Sequence, residues 1–295
     1  MGHEQNAGPH GVALLSGVSG LAGSYDGVLC DVWGVLHNGV RAFPQACAAL
    51  EGLRQAGAAV VLLTNAPRPN GAVRRQLGAL GVPDTAYDRV VTSGDLAQDM
   101  LRRHAGEGVY HLGPERDLPV FEGLETTFVG PDAAALIVNT GLFDDTTESP
   151  DDYRELLSGL AARSVEMVCA NPDIVVERGD KLVWCAGSLA ELYAALGGPV
   201  VWAGKPHRPI YERALREIEA VTGSPVSADR VLAIGDSLRT DLAGAAAMGF
   251  DAIFVAEGIH GHQTGRGENV DPKVLEDMFA EAGVRPRAVM AQLDW

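Results

Sequence analysis

The chain is 295 residues long, enough for two domains at roughly 150 residues each. Apolar residues make up 46% of it and charged residues 21%, which excludes disorder and collagen-like repetition and supplies material for a large core. Lys and Arg number 23 against 39 Asp and Glu, and the resulting net charge of −16 repels phosphate backbones and anionic lipid, arguing against nucleic-acid and membrane-surface binding.

The four cysteines, Cys30, Cys47, Cys169 and Cys185, form no C-x-x-C pair and have no histidine at zinc-finger spacing, so they read as free thiols in a reducing compartment. The apolar stretch Val12–Leu15 has no basic segment before it, so no signal peptide is read there. No run approaches the roughly 20 apolar residues of a membrane span. A cytoplasmic location is expected.

Short apolar runs alternate with helical patterns, which predicts βα units around a parallel sheet. The first run is Val28–Val32, carrying Asp31. Ala46, Ala49, Leu50 and Leu53 share one face of a helix expected from about Pro44 to Gln55, with Gly57 just beyond it. Ala59–Leu63 is apolar throughout, as a strand covered on both faces should be, and it runs into Thr64-Asn65 and the turn-rich Ala66–Asn70. From about residue 86 to 198 the pattern is less regular. Strand-like Val109–Leu112, Ala135–Val138 and Glu166–Cys169 alternate there with helices near 150–162 and 187–196. This stretch, 86–198, reads as a second α/β domain inserted into a core formed by 1–85 and 199–295. Within it, Asp144-Asp145 and Asp151-Asp152 read as a solvated acidic surface near a helix start, capped at Ser149-Pro150. Gly204-Lys205-Pro206 then precedes a helix expected over Pro209–Val221. Val231–Ile234 runs as a strand into Gly235-Asp236-Ser237, followed by a small-residue helix, Asp241–Met248, and a strand, Ala252–Val255.

Asp31, Thr64 and the pair Asp236 and Asp241 thus fall at or just after strand ends, where open α/β sheets bind their ligands. Carboxylates that converge repel each other unless a cation joins them, and an all-oxygen set suits a hard cation, magnesium first. A lysine and a threonine beside that cation suit a phosphate.

Asp31-Val32-Trp33-Gly34-Val35, Leu63-Thr64-Asn65, Gly204-Lys205-Pro206 and Gly235-Asp236-Ser237-Leu238-Arg239-Thr240-Asp241 resemble, in order, the four motifs of the haloacid dehalogenase superfamily. The Gly-Val after motif one, the G-K-P and the G-D-S-x-x-T-D resemble its class IIA branch, the NagD-like phosphatases. The resemblance spans roughly residues 25–260, with Asn171-Pro172-Asp173 as the turn expected in that branch's cap. It implies a doubly wound parallel sheet with an inserted α/β cap, and magnesium-dependent hydrolysis of a small phosphorylated metabolite. Asp31 is then the nucleophile and forms an aspartyl-phosphate. Magnesium is expected on Asp31, the backbone carbonyl of Trp33 and Asp236, with Asp241 as ligand or support. Thr64 and Lys205 are expected to hold the phosphoryl oxygens, with Asn65, Asn171 and Asp173 on the substrate side. Family analogy also suggests a homodimer joined through the cap.

The chain departs from the family where motif one usually reads D-x-D, because Trp33 takes the place of the second aspartate. An indole N–H donates a hydrogen bond but transfers no proton near neutral pH. Either another group supplies the proton, His37 being a candidate, or the leaving group needs none, as in an acyl or aryl phosphate. Arg68, just after Thr64-Asn65, either reaches a substrate anion or is solvated. Two other functions fit parts of the pattern. Metal-free dehalogenation tolerates Trp33 but has no use for Asp236 and Asp241. A weakly catalytic sensor of a phosphorylated metabolite uses the same residues for binding alone.

Overall fold

The computed structural model describes residues 12–178, 181–264 and 271–295. In chain order its strands are β1 (Ala13–Leu14), β2 (Gly27–Cys30), β3 (Ala59–Thr64), β4 (Arg89–Thr92), β5 (Gly108–Leu112), β6 (Thr127–Phe128), β7 (Leu136–Asn139), β8 (Glu166–Cys169), β9 (Val175–Arg178), β10 (Lys181–Trp184), β11 (Val200–Trp202), β12 (Val231–Gly235), β13 (Asp251–Val255) and β14 (Ala288–Met290). The helices include α1 (Pro44–Gln55), α2 (Asn70–Leu80), α3 (Ser93–Leu101), α4 (Arg154–Ala162), α5 (Ala186–Ala195), α6 (Arg208–Thr222) and α7 (Ala243–Met248). No helix among the described residues is long and apolar enough to cross a membrane. The chain divides into two compact units: residues up to Leu63 with Gln76–Val91 and Tyr211–Trp295, and Thr64–Arg75 with Thr92–Ile210.

The first unit is built on a seven-stranded sheet in the order β1-β14-β13-β12-β2-β3-β4. Strands β2 and β12 are wholly buried, which explains why neither alternates polar with apolar residues. β2 lies parallel to both neighbours, with Cys30 opposite Ile234 on one side and Leu62 on the other. From β2 the chain winds outward through β3 to β4, and from β12 through β13 to β14 in the opposite direction. The winding therefore reverses between β2 and β12, the doubly wound arrangement whose crevice at the carboxyl ends of the strands holds ligands. On one face, α6 presses Ile218 so closely onto β2 that a Cβ at Gly27 would lie 2.7 Å from its Cδ1.

The second unit carries a five-stranded sheet in the order β11-β8-β7-β5-β6, parallel throughout. Its core joins Leu112, Ile137, Leu157, Met167, Leu189 and Tyr193, which locks α4 and α5 onto one face of the sheet. Tyr193 is fully buried, and its hydroxyl donates to the Val165 carbonyl at 2.5 Å, so the ring packs without stranding its polar end. A two-stranded antiparallel hairpin, β9-β10, is attached.

Periodicity located α1 and β8 to the residue. The helix expected from Asp241 instead opens with a wide π-type turn, Leu238–Leu242, and α7 starts at Ala243. The helix expected near 150 opens with a 3-10 turn, Pro150–Tyr153, introduced by a capping box between Ser149 and Asp152.

Candidate active site

Asp31 is the first residue beyond β2, and its N–H still donates to the Ile234 carbonyl of β12 at 2.8 Å. Asp236 is the first residue beyond β12, and Asp241 stands in the π-type turn that follows. The switch point between the two strands thus brings three carboxylates together. One oxygen from each of Asp31, Asp236 and Asp241 lies within 4.8 Å of the others, and all three residues are buried. Among the described residues no further His, Cys, Asp or Glu joins this group.

Backbone donors fix the orientation of two of them. Asp236 Oδ2 accepts the Ile259 N–H at 2.7 Å, and Asp241 Oδ2 accepts the Ser237 N–H at 3.2 Å. Tyr211 anchors the turn from below, its hydroxyl donating to the Thr240 carbonyl at 3.0 Å. Glycines keep the surroundings clear. A Cβ at Gly34 or at Gly258 would lie 2.0 Å from Asp236 Oδ2, and one at Gly235 would lie 2.2 Å from Asp241 Cγ. Gly34 also has φ +80°, a conformation that a side chain would strain. Three clustered carboxylates form a hard, all-oxygen donor set, which suits a divalent cation such as magnesium.

The loop after Asp31 folds around Trp33. Gly34 N–H donates to the His37 carbonyl at 2.9 Å, and the His37 ring meets the indole edge-on at a centroid distance of 4.8 Å. Gly39 permits the closure, since a Cβ there would lie 2.5 Å from the indole Cζ3. His37 is not the substitute acid that its position suggests. It is 1% exposed, burial pulls its pKa down to about 4, and its Nδ1 accepts the Gly39 N–H at 3.0 Å. The ring is therefore a neutral packing element that holds the indole and the loop.

In the second unit, β3 ends at Thr64, whose Oγ1 accepts the Ala66 N–H at 3.2 Å. The next residue, Asn65, is 2% exposed and serves as a hub. Its Nδ2 donates to Asp173 Oδ1 at 2.9 Å and to the Lys205 carbonyl at 3.2 Å. Its Oδ1 accepts the Lys205 N–H at 2.7 Å and the Ser93 hydroxyl at 3.1 Å. Both donors and both lone pairs of the amide are engaged, so Asn65 acts through Lys205 and Asp173. Gly204 lets the strand end approach this hub, for its Cβ would lie 2.2 Å from Ser93 Oγ and 2.6 Å from Asn65 Oδ1.

Asn171 and Asp173 lie beyond β8 in a turn closed by the Asp173 N–H on Asn171 Oδ1 at 3.1 Å. The start of α5 is pinned to that turn by Gly187, whose N–H donates to the Asp173 carbonyl at 3.0 Å. The site residues therefore fall into two groups, Asp31, Trp33, Asp236 and Asp241 in one unit, Thr64, Asn65, Asn171, Asp173 and Lys205 in the other. Sequence reasoning missed the positioning role of Ser93 and of His37. It also took Asp145 as solvated and left Arg68 open. Both side chains are instead largely buried in ion pairs: Asp145, 6% exposed, with Arg178, and Arg68, 24% exposed, with Asp117.

Known proteins resemble this chain in sequence and fold. A haloacid dehalogenase-like hydrolase family model matches residues 28–127, and a HAD-hydrolase-like model matches 202–282. A solved haloacid dehalogenase-like hydrolase from Brucella suis 1330 is 45% identical, covers 95% of this chain and all of its own, and superposes with a TM-score of 0.85. The 5'-nucleotidase YutF of Bacillus subtilis is 29% identical over 240 residues, 80% of this chain and 89% of that protein. The ribonucleotide monophosphatase NagD of Escherichia coli K12 is 28% identical over 238 residues, 79% of this chain and 88% of that one. The chain belongs to the haloacid dehalogenase-like hydrolase family, in its branch of NagD-like phosphatases.

Proposed function

We propose that this hydrolase is a magnesium-dependent phosphatase of a small phosphorylated metabolite, working through an aspartyl-phosphate on Asp31. The observation that carries this assignment is the buried group of Asp31, Asp236 and Asp241 at the switch point of the sheet. In this account an Asp31 carboxylate oxygen attacks phosphorus while the bond to the leaving oxygen breaks. Water then attacks the same phosphorus, releasing inorganic phosphate and regenerating the Asp31 carboxylate. Thr64 and Lys205 hold phosphoryl oxygens, and the Lys205 ammonium offsets charge that develops on them. Asn65 keeps Lys205 and Asp173 in place, and residues 86–198 form the cap that selects the substrate.

Asp31, the Trp33 carbonyl and Asp236 would hold magnesium, with Asp241 as ligand or support, and the bound ion supplies the positive charge that lets a carboxylate approach an anionic phosphate. With Trp33 in motif one and His37 neutral, departure is fastest for leaving groups that need no proton, such as acyl or aryl phosphates. Phosphate release from phenyl phosphate, nucleoside monophosphates, sugar phosphates and acyl phosphates, with magnesium or with chelator, tests the account. Metal-dependent turnover that Asp31→Asn abolishes is expected. Phosphate release that persists in chelator contradicts the magnesium requirement, halide release from a 2-haloacid in chelator points to the metal-free dehalogenase chemistry, and binding without turnover points to a sensor.

A further inference from the structure

The turn that carries Asp241 is held from a second element, α6, which the chemistry above leaves unused. Within the turn the Ser237 carbonyl accepts two N–H groups, those of Asp241 and Leu242, each at 3.1 Å. Sharing one carbonyl in this way accommodates one residue more than an α-helical turn holds, and it marks the π-type segment Leu238–Leu242. At the far end the Ala243 N–H is itself divided, between the Leu238 and Thr240 carbonyls. Two of the turn's backbone bonds are therefore shared, at the point where the chain delivers a carboxylate to the buried group.

Tyr211 reaches this turn from α6. It is 1% exposed, and its hydroxyl donates to the Thr240 carbonyl at 3.0 Å, with the Asp241 carbonyl further off at 3.5 Å. A phenol has one proton to give, so the nearer carbonyl takes it. The approach is built into α7. A Cβ at Gly244 would lie 2.1 Å from the hydroxyl oxygen and 2.4 Å from Cζ, a contact that glycine alone permits. Phe250 meets the same ring with the centroids 6.2 Å apart, so the ring packs in the core while its hydroxyl is set on one peptide.

That peptide is the one that aims Asp241. The Thr240 carbonyl and the Asp241 N–H are the two ends of a single rigid plane. Tyr211 holds its oxygen and the Ser237 carbonyl holds its N–H, so the plane cannot turn without losing a bond at one end. The direction of the Asp241 side chain follows from that plane. Its Oδ2 accepts the Ser237 N–H at 3.2 Å, and its Cγ would lie 2.2 Å from a Cβ at Gly235. A carboxylate packed this closely against the end of β12 tolerates little rotation of its backbone.

We infer that Tyr211 is a positioning residue: its hydroxyl fixes the Thr240–Asp241 peptide and thereby keeps the Asp241 carboxylate beside Asp31 and Asp236. Its effect on a cation rests on the reading of that group as the magnesium site. Tyr211→Phe deletes the hydroxyl and keeps the ring against Phe250. In crystals of the metal-free full chain, Asp241 should hold its bond to the Ser237 N–H in the wild type and take more than one orientation in this variant. In titration calorimetry with magnesium chloride, the variant should bind about fivefold more weakly, the worth of one hydrogen bond. Phe250→Leu loosens the same ring but leaves the hydroxyl, and it should keep the wild-type affinity for magnesium. A single, wild-type orientation of Asp241 in Tyr211→Phe would overturn the inference. So would a magnesium affinity that Tyr211→Phe leaves unmoved, or that Phe250→Leu weakens as much. Failure of the magnesium reading has a separate signature, a wild type that takes up no magnesium, and the orientation of Asp241 then decides the role of Tyr211 alone.

Discussion

The two units concentrate charge in opposite ways. At the switch point of the first, three carboxylates of one sign sit within 4.8 Å of each other, surrounded by glycines and backbone N–H groups. In the second, five charged side chains of both signs, Arg68, Arg116, Asp117, Asp145 and Arg178, interlock, and the carboxylates lie beneath the arginines. Like charges held this close repel one another, so positive charge brought to the group stabilises it. Mixed charges neutralise one another. The first arrangement suits a cation, and the second holds its own loops together.

The sharpest way to break this contrast is at the carboxylates. Asp31→Asn removes the proposed nucleophile and should lower phosphate release by at least about a thousandfold in steady-state assays. Next in size is Asn65→Ala, which strips partners from the Lys205 backbone, Asp173 and Ser93 at once. It should cost about 2–4 kcal/mol in urea unfolding and lower turnover through misplacement of Lys205. Gly34→Ala drives a methyl group against Asp236 at a positive φ, so magnesium affinity measured by titration calorimetry should fall about 10–100-fold.

The mixed cluster responds to pH in a direction that can be worked out. Burial pushes the Asp117 carboxyl up to about 6, against the pull of Arg68, Arg116 and Arg178 and with a small push from Asp145. A folded pKa above the unfolded value means that the native state binds the proton more tightly. The stability it contributes is present below about pH 4 and is lost as pH rises through about 6. Asp117→Asn lacks this dependence. The stability advantage of wild type over the variant should therefore shrink by about 2 kcal/mol between pH 4 and pH 7 in denaturant titrations. An advantage that stays constant or grows would show Asp117 already ionised in the fold.

The carboxylate site was largely legible in the sequence and the mixed cluster was not, for physical reasons. Asp31 and Asp236 each follow an unbroken apolar run, so the strand ends are visible in the order of residues, and the parallel sheet then fixes their proximity. The arginine cluster draws on loops after β5 and β7, a hairpin strand and the segment after β3, whose convergence no local pattern encodes. Asp145, beside Asp144 in a polar stretch, has the composition of a solvated loop, and it is Arg116 and Arg178, 29 and 33 residues away, that pair with it. His37 shows the same limit, since burial by the Trp33 loop, not the residue type, decides its protonation. The hairpin β9-β10 is a different case, because the two-residue Gly179-Asp180 spacing between Val175–Arg178 and Lys181–Trp184 is a hairpin signal present in the sequence itself.

The central claim is that the clustered carboxylates make Asp31 a nucleophile toward phosphorus. The most direct measurement is peptide mass spectrometry of the protein quenched in acid during turnover of phenyl phosphate. The account predicts one added phosphoryl group on Asp31, present with magnesium and absent with chelator. Turnover at the same rate with Asp31 unmodified throughout, or a phosphoryl group carried by another residue, would contradict it.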